Sequence, residues 1–145
     1  MTLAFLGEVD QSASLAARRI VEAIPSGMGG GAWLEGFLML PSPGKARVVA
    51  LAIDDDHAAF GDLYDVIMTS LETAEVMERE KRPFRPHLTV TRLGTPGPVR
   101  PRSEIERARY PIESVCLYRS ELRREGATYT VLARRVFDIR KRSKG

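Results

Sequence analysis

The chain has 145 residues, 43% of them hydrophobic, the size of one ordinary domain that can bury roughly 68–70% of its unfolded surface. Its single cysteine, Cys116, excludes an internal disulfide and a paired-cysteine metal site, no run approaches the ~20 apolar residues of a membrane span, and no charged-then-apolar signal segment opens it, so a reducing cytoplasm is the expected compartment. The net charge of +3 joins an acidic half (1–76, 4 Lys and Arg against 11 Asp and Glu) to a basic one (77–145, 18 against 8, with a basic tail at 138–145), which fits a polyanionic partner or merely solvated faces.

Residues 2–7, TLAFLG, alternate and are β-competent, and Gly7 stops them, which predicts a strand with an exit but no lead-in. Asp10 can cap a helix over 11–24, where Leu15, Ile20 and Ile24 fall at helical spacing. The glycine-rich SGMGGG (26–31) predicts a loop. WLEGFLML (33–40) and ARVVALAI (46–53) read as strands joined by the hairpin connection PSPGK. Asp54 to Asp56 can start a second helix whose buried stripe is Phe60, Leu63, Tyr64, Ile67 and Leu71. His57, among acids in that first turn and without a Thr or Ser two residues on, reads as a surface residue.

Pro83 and Pro86 precede a strand HLTVTRL (87–93), closed by Gly94 and the loop TPGPVRPR. A helix or turn at 103–108 leads to one strand, YPIESVCLYRSEL (110–122), with Cys116 as a buried filler. Past a turn near Glu125-Gly126, ATYTVLARRVFDI (127–139) completes a hairpin. Helices alternate with strands joined by short loops, so the expected class is α+β with largely antiparallel sheets. Trp33, Tyr118 and Tyr129 read as packing residues of strands, and no role follows for Arg119 or Ser120.

The stretch TVTRLG (89–94) repeats TLAFLG (2–7) at a constant offset of 87, sharing the Thr, an aliphatic, the Leu and the Gly. The counterpart of His87 falls one position before Met1. On a strand, side chains i and i+2 share a face, so His87 and Thr89 project together while Leu88 and Val90 are expected in the core. An imidazole titrates near pH 6.5 when unperturbed and can take or give a proton near neutrality.

His87-Leu88-Thr89, preceded by RPFRP and followed by Arg92, resembles the HxT motif of the two-histidine phosphoesterases. Within them the pattern is similar to the bacterial and archaeal RNA 2′,3′-cyclic phosphodiesterases, also called the 2′-5′ RNA ligase family. Their first motif reads H-x-T-L-x-F-L-G and their second P-H-x-T-[apolar]-x-R. TLAFLGEVD matches the first from its Thr onward, and RPFRPHLTVTRLG matches the second throughout. ARVVALAI and LYRSELRREGATYTVLARRVF extend the resemblance over nearly the whole chain. It implies one two-lobed, pseudo-symmetric α+β domain with antiparallel sheets flanking a central cleft. A strand, a helix and the first histidine are expected ahead of Met1, and the lobe without them is expected to expose a sheet edge and apolar surface.

The same resemblance implies hydrolysis of RNA 2′,3′-cyclic phosphate ends to 2′-phosphates, with 2′-5′ RNA ligation open as an accompanying activity. One histidine draws a proton from the attacking water and the other protonates the departing ribose oxygen, each role being worth about 10²–10⁴ in rate. Thr2 and Thr89 would hold the non-bridging oxygens, Arg92 would reach the phosphate, and Phe5 would offer a face to a nucleobase. Strict alternation, by contrast, points Arg92 and Phe5 away from the face of the two threonines. No metal or cofactor is implied, and Asp54 to Asp56 reads as helix capping. The expected partner is RNA or a nucleotide with a 2′,3′-cyclic phosphate, with neither a membrane nor an obligate protein partner. Two other readings stay open: a non-catalytic module that holds RNA ends, and a related enzyme acting on a different cyclic or 2′-5′ phosphodiester.

Overall fold

The computed structural model describes residues 1–55 and 58–138; His57, with the surface placement expected of it, and all but the first residue of the basic tail lie outside the described residues. Helix α1 runs Gln11–Ala23, and Asp10 caps it by accepting a hydrogen bond from the Ala13 amide at 2.8 Å. Its buried side is Ala17 and Val21, continued by Ile24, a spacing of four and three residues that keeps one helical face inward. Leu15, expected on that face, is 48% exposed, because two residues from Ala17 is more than half a turn around the helix.

Strand β1, Gly30–Leu40, begins inside the predicted loop. Its first residues, Gly30 and Gly31, pair with Ile112 and Pro111 of β4, Ala108–Ile112. Glycine is required just before it: a Cβ on Gly29 would sit 2.7 Å from the Phe137 Cβ and 3.2 Å from the Ile112 carbonyl oxygen. Strand β2, Ala46–Asp54, returns antiparallel to β1. Helix α2, Ala59–Thr73, buries the expected stripe and adds Met68. It starts later than Asp54, since Ile53 and Asp54 are held in the ladder opposite Leu34 and Trp33. Asp55 is its capping acid, taking the Phe60 and Gly61 amides at 3.1 and 2.9 Å.

Strand β3, His87–Gly97, is longer than predicted and runs through Pro96. It lies at the edge of the sheet, where a missing N–H leaves no ladder bond unmade. No helix forms at 103–108. The single strand predicted at 110–122 is two, β4 and β5 (Ser114–Arg123), which belong to different sheets. The chain changes sheet at Glu113, whose carbonyl accepts the Phe137 amide at 2.8 Å. Strand β5 pairs with β6, Gly126–Val136, as the expected hairpin.

The result is the expected α+β class, with a four-stranded antiparallel sheet ordered β3-β2-β1-β4 and a two-stranded β5-β6 ribbon. Helix α1 lies against the ribbon and against α2, and α2 lies against β1. One core joins Ala17, Ile24, Ala32, Ile53, Ile112, Phe137 and the α2 stripe. The ribbon keeps unpaired edges and exposed apolar groups, Leu122 at 90% among them. Residues 1–9 form no strand, contrary to expectation. A strand exists only through a neighbour's ladder, and this segment instead docks Met1, Leu3, Ala4 and Leu6 on the core. Among the described residues, no helix is long and apolar enough to cross a membrane.

Candidate functional site

The four-stranded sheet has two unlike faces. Ile53, Leu34, Ala32, Tyr110 and Ile112 turn toward the helices and the core. Gly30 belongs to this side, where a Cβ would stand 3.2 Å from that of Ala59 in α2. Residues between them in each strand face the other way, which places Ala50, Ala52 and Asp54 of β2 on the helix-free face.

His87 pairs with Ala52 and Thr89 with Ala50, so both stand on the helix-free face, as the HxT spacing predicts. The register then shifts: Thr91, not Val90, pairs with Val49, and Arg92 pairs with Val48. Val90 is the extra residue of a β-bulge, 56% exposed rather than in the core. Its insertion reverses the alternation. Since Ala52, Ala50 and Val48 share a face, so do His87, Thr89 and Arg92. The parity objection to Arg92 is thereby removed by local geometry.

The His87 ring is oriented from below. Its Nδ1 lies 2.8 Å from the Arg85 carbonyl oxygen, and a carbonyl only accepts, so Nδ1 carries the hydrogen and the neutral ring keeps Nε2 bare for a proton. The segment bearing that carbonyl is fastened on both sides. Pro86 accepts the Ile53 amide at 3.3 Å, and Phe84 stacks on Tyr64 of α2 with centroids 4.1 Å apart and planes within 6°. Arg79 lies over the same Tyr64 ring at 5.6 Å and pairs with Asp65 and Glu72 of α2, which raise its pKa further through the Asp65 hydrogen bond first.

Thr2 and Phe5 are both exposed, Phe5 at 80%, in the segment before α1. Among the described residues, no hydrogen bond or ion pair joins that segment to β3. The register thus places His87, Thr89 and Arg92 on one face of β3, while Thr2 and Phe5 belong to the segment before α1, which pairs with no strand. Two hollows lie elsewhere: one of about 300 Å³ between α1 and α2, lined by Ile20, Ile24 and Val66, and one of about 360 Å³ beside Tyr64, Arg79 and Phe84.

Sequence reasoning left Trp33 as packing, yet it stands on the helix-free face. It pairs with Asp54, two residues beyond Ala52, and is 36% exposed. The Arg107 guanidinium lies 4.7 Å from its ring centroid and is fixed by Asp54 at 2.5 Å and by Glu35 at 3.9 Å. Only the side on which the helices lie separates this position from a core aromatic, and no local pattern carries that information. Among the described residues no three His, Cys, Asp or Glu converge as a metal cluster. Cys116 is half-buried rather than buried, and its Sγ accepts a hydrogen bond from Arg134 Nε at 3.2 Å.

No family model matches the chain, and no curated protein resembles it closely enough to count as a match. Among solved structures, TT0787 of Thermus thermophilus is similar at a TM-score of 0.73 and 27% identity, over 94% of this chain and 76% of that one. E. coli LigT complexed with 3′-AMP is similar at 0.78 and 25% identity, over 94% of this chain and 75% of that one. A structure described as a phosphoesterase gives the same four values.

Proposed function

We infer, from the chain's place in the two-histidine phosphoesterase superfamily, that it acts as one cytoplasmic domain hydrolysing RNA 2′,3′-cyclic phosphate ends to 2′-phosphates. The observation that carries this reading is the bulge at Val90, which gathers a proton-transfer group, a hydroxyl and a guanidinium on one face of β3. The 3′-AMP found with LigT supports a nucleotide as the ligand here.

In the reaction, a water oxygen bonds to phosphorus while the bond from phosphorus to the ribose 3′-oxygen breaks. One proton leaves the water and another arrives on the 3′-oxygen, so the products are a 2′-phosphate and a free 3′-hydroxyl. His87 performs one of the two transfers through Nε2, and the resemblance gives the other to a second histidine. Thr89 donates its hydroxyl to a non-bridging oxygen, and Arg92 offsets the charge that builds on the five-coordinate phosphorus. Thr2 and Phe5 are the proposed counterparts for the other non-bridging oxygen and the base.

The test is incubation of adenosine 2′,3′-cyclic phosphate with the protein and a chelator, followed by ³¹P NMR. Accumulation of 2′-AMP alone supports the reading; 3′-AMP as product, or turnover abolished by the chelator, rejects it. Binding of 2′-AMP without any turnover would favour the RNA-end-binding module.

A further inference from the structure

We propose that Trp33, backed by Arg107, forms a nucleobase subsite on the face that carries His87, additional to the face that Phe5 is proposed to offer, a proposal that rests on the phosphoesterase reading of that face. Between His87 on β3, which pairs with Ala52, and Trp33 on β1, which pairs with Asp54, runs β2; of its alanines on this face Ala52 is half-buried and Ala50, beside Thr89, is fully buried. Alanine is the smallest side chain that a strand can present without losing its Cβ, so β2 is low at Ala52, beside His87. Two strand spacings across and two residues along put the Cα atoms of His87 and Trp33 about 12 Å apart, with both side chains rising from the same surface. A phosphate held at His87, Thr89 and Arg92 thus leaves its sugar over Ala52 and its base at Trp33.

The chemistry of the far end fits a base. Trp33 offers the largest π-surface in the chain on a helix-free face, and it is not buried. Arg107 lies over its ring, ion-paired with Asp54 and with Glu35, which sets an electron-poor guanidinium against the electron-rich indole. Arg109, opposite Trp33 in the register, runs its side chain over Gly31, where a Cβ would meet its Nε at 3.3 Å, and adds a second cation at this end. Stacking on such a platform tolerates any base, so the subsite recognises a nucleotide rather than one sequence.

Trp33 is the only tryptophan, so its emission reports on this position alone. Titration with 2′-AMP is expected to change Trp33 emission in a saturable way, whereas ribose 5-phosphate and inorganic phosphate are expected to leave it unchanged while still binding by calorimetry. Trp33→Ala is expected to weaken 2′-AMP about 5- to 150-fold with ribose 5-phosphate affinity unaltered, and Trp33→Phe to restore most of the difference and to control for folding. Saturation by 2′-AMP with constant emission, equal loss for both ligands in Trp33→Ala, or no binding of 2′-AMP by the unaltered chain would each overturn the subsite. Turnover of adenosine 2′,3′-cyclic phosphate without any involvement of Trp33 would refute the subsite and keep the hydrolase. A Trp33 response without turnover would keep the subsite and refute the hydrolase.

Discussion

Arg92→Met and Thr91→Val test the bulge directly, because a regular strand and a bulged one predict opposite outcomes. In unbroken alternation from Thr89, Thr91 would share the catalytic face and Arg92 would turn toward the helices. The observed register pairs Thr91 with Val49 and Arg92 with Val48, so it is Arg92 that joins Thr89. Methionine keeps the length and apolar stem of arginine but removes its charged donors. A hydrogen bond to a charged group is worth about 1.5–3 kcal/mol, so Arg92→Met should lower kcat/KM on adenosine 2′,3′-cyclic phosphate about 10- to 150-fold. Both side chains are exposed, and the melting temperature should move by no more than about 0.5 kcal/mol of stability allows. Thr91→Val should stay within about twofold of the unaltered rate, since its hydroxyl faces away from substrate. Deleting Val90 adds an unusual control: it leaves Thr89, Thr91 and Arg92 in regular alternation on the faces they already occupy, and activity should survive. Loss of activity in Thr91→Val with none in Arg92→Met would refute the bulge account.

Leu63, 1% exposed in α2, should cost about 2–5 kcal/mol as Leu63→Ala, lowering the melting temperature by roughly 6–15 °C. Asp55→Ala should remove about 1 kcal/mol in urea denaturation by uncovering the Phe60 and Gly61 amides, and Asp55→Asn, whose single carbonyl oxygen can accept only one of the two amides, should recover no more than about half of it. Ala58 sits at φ 53°, so Ala58→Gly should raise stability by about 1 kcal/mol. Phe84→Ala loosens the segment that presents the Arg85 carbonyl to His87; kcat should fall while KM for the cyclic phosphate stays near its original value.

Much of this architecture is written locally. Asp10 as a helix cap, the α2 stripe from Phe60 to Leu71, and the two hairpin turns each depend on neighbours within a few residues, and each forms where it was read, although Leu15 is exposed and the strand read at 110–122 is two. The features that escaped depend on partners far along the chain. Alternation through 110–122 is unbroken across Glu113 although the strand changes sheets there, because period two states which side a residue faces and not which sheet it joins. The extra residue at Val90 is visible only against Val49 and Ala50, which lie about forty positions away in β2. Residues 2–7 carry a strand pattern, but a ladder needs a second chain segment and they have none among the described residues. Of the candidate site, His87 and Thr89 were legible as a pair from spacing alone, while Arg92 needed the resemblance and the placement of Trp33 on the same face needed the sheet.

The most direct measurement of the central claim is the rate of adenosine 2′,3′-cyclic phosphate hydrolysis by the unaltered chain and by His87→Ala, in chelator, with both proteins melting at the same temperature. Loss of one proton-transfer group is expected to lower kcat about 10²- to 10⁴-fold. Equal rates in the two proteins would contradict the assignment of this face of β3 as the catalytic one.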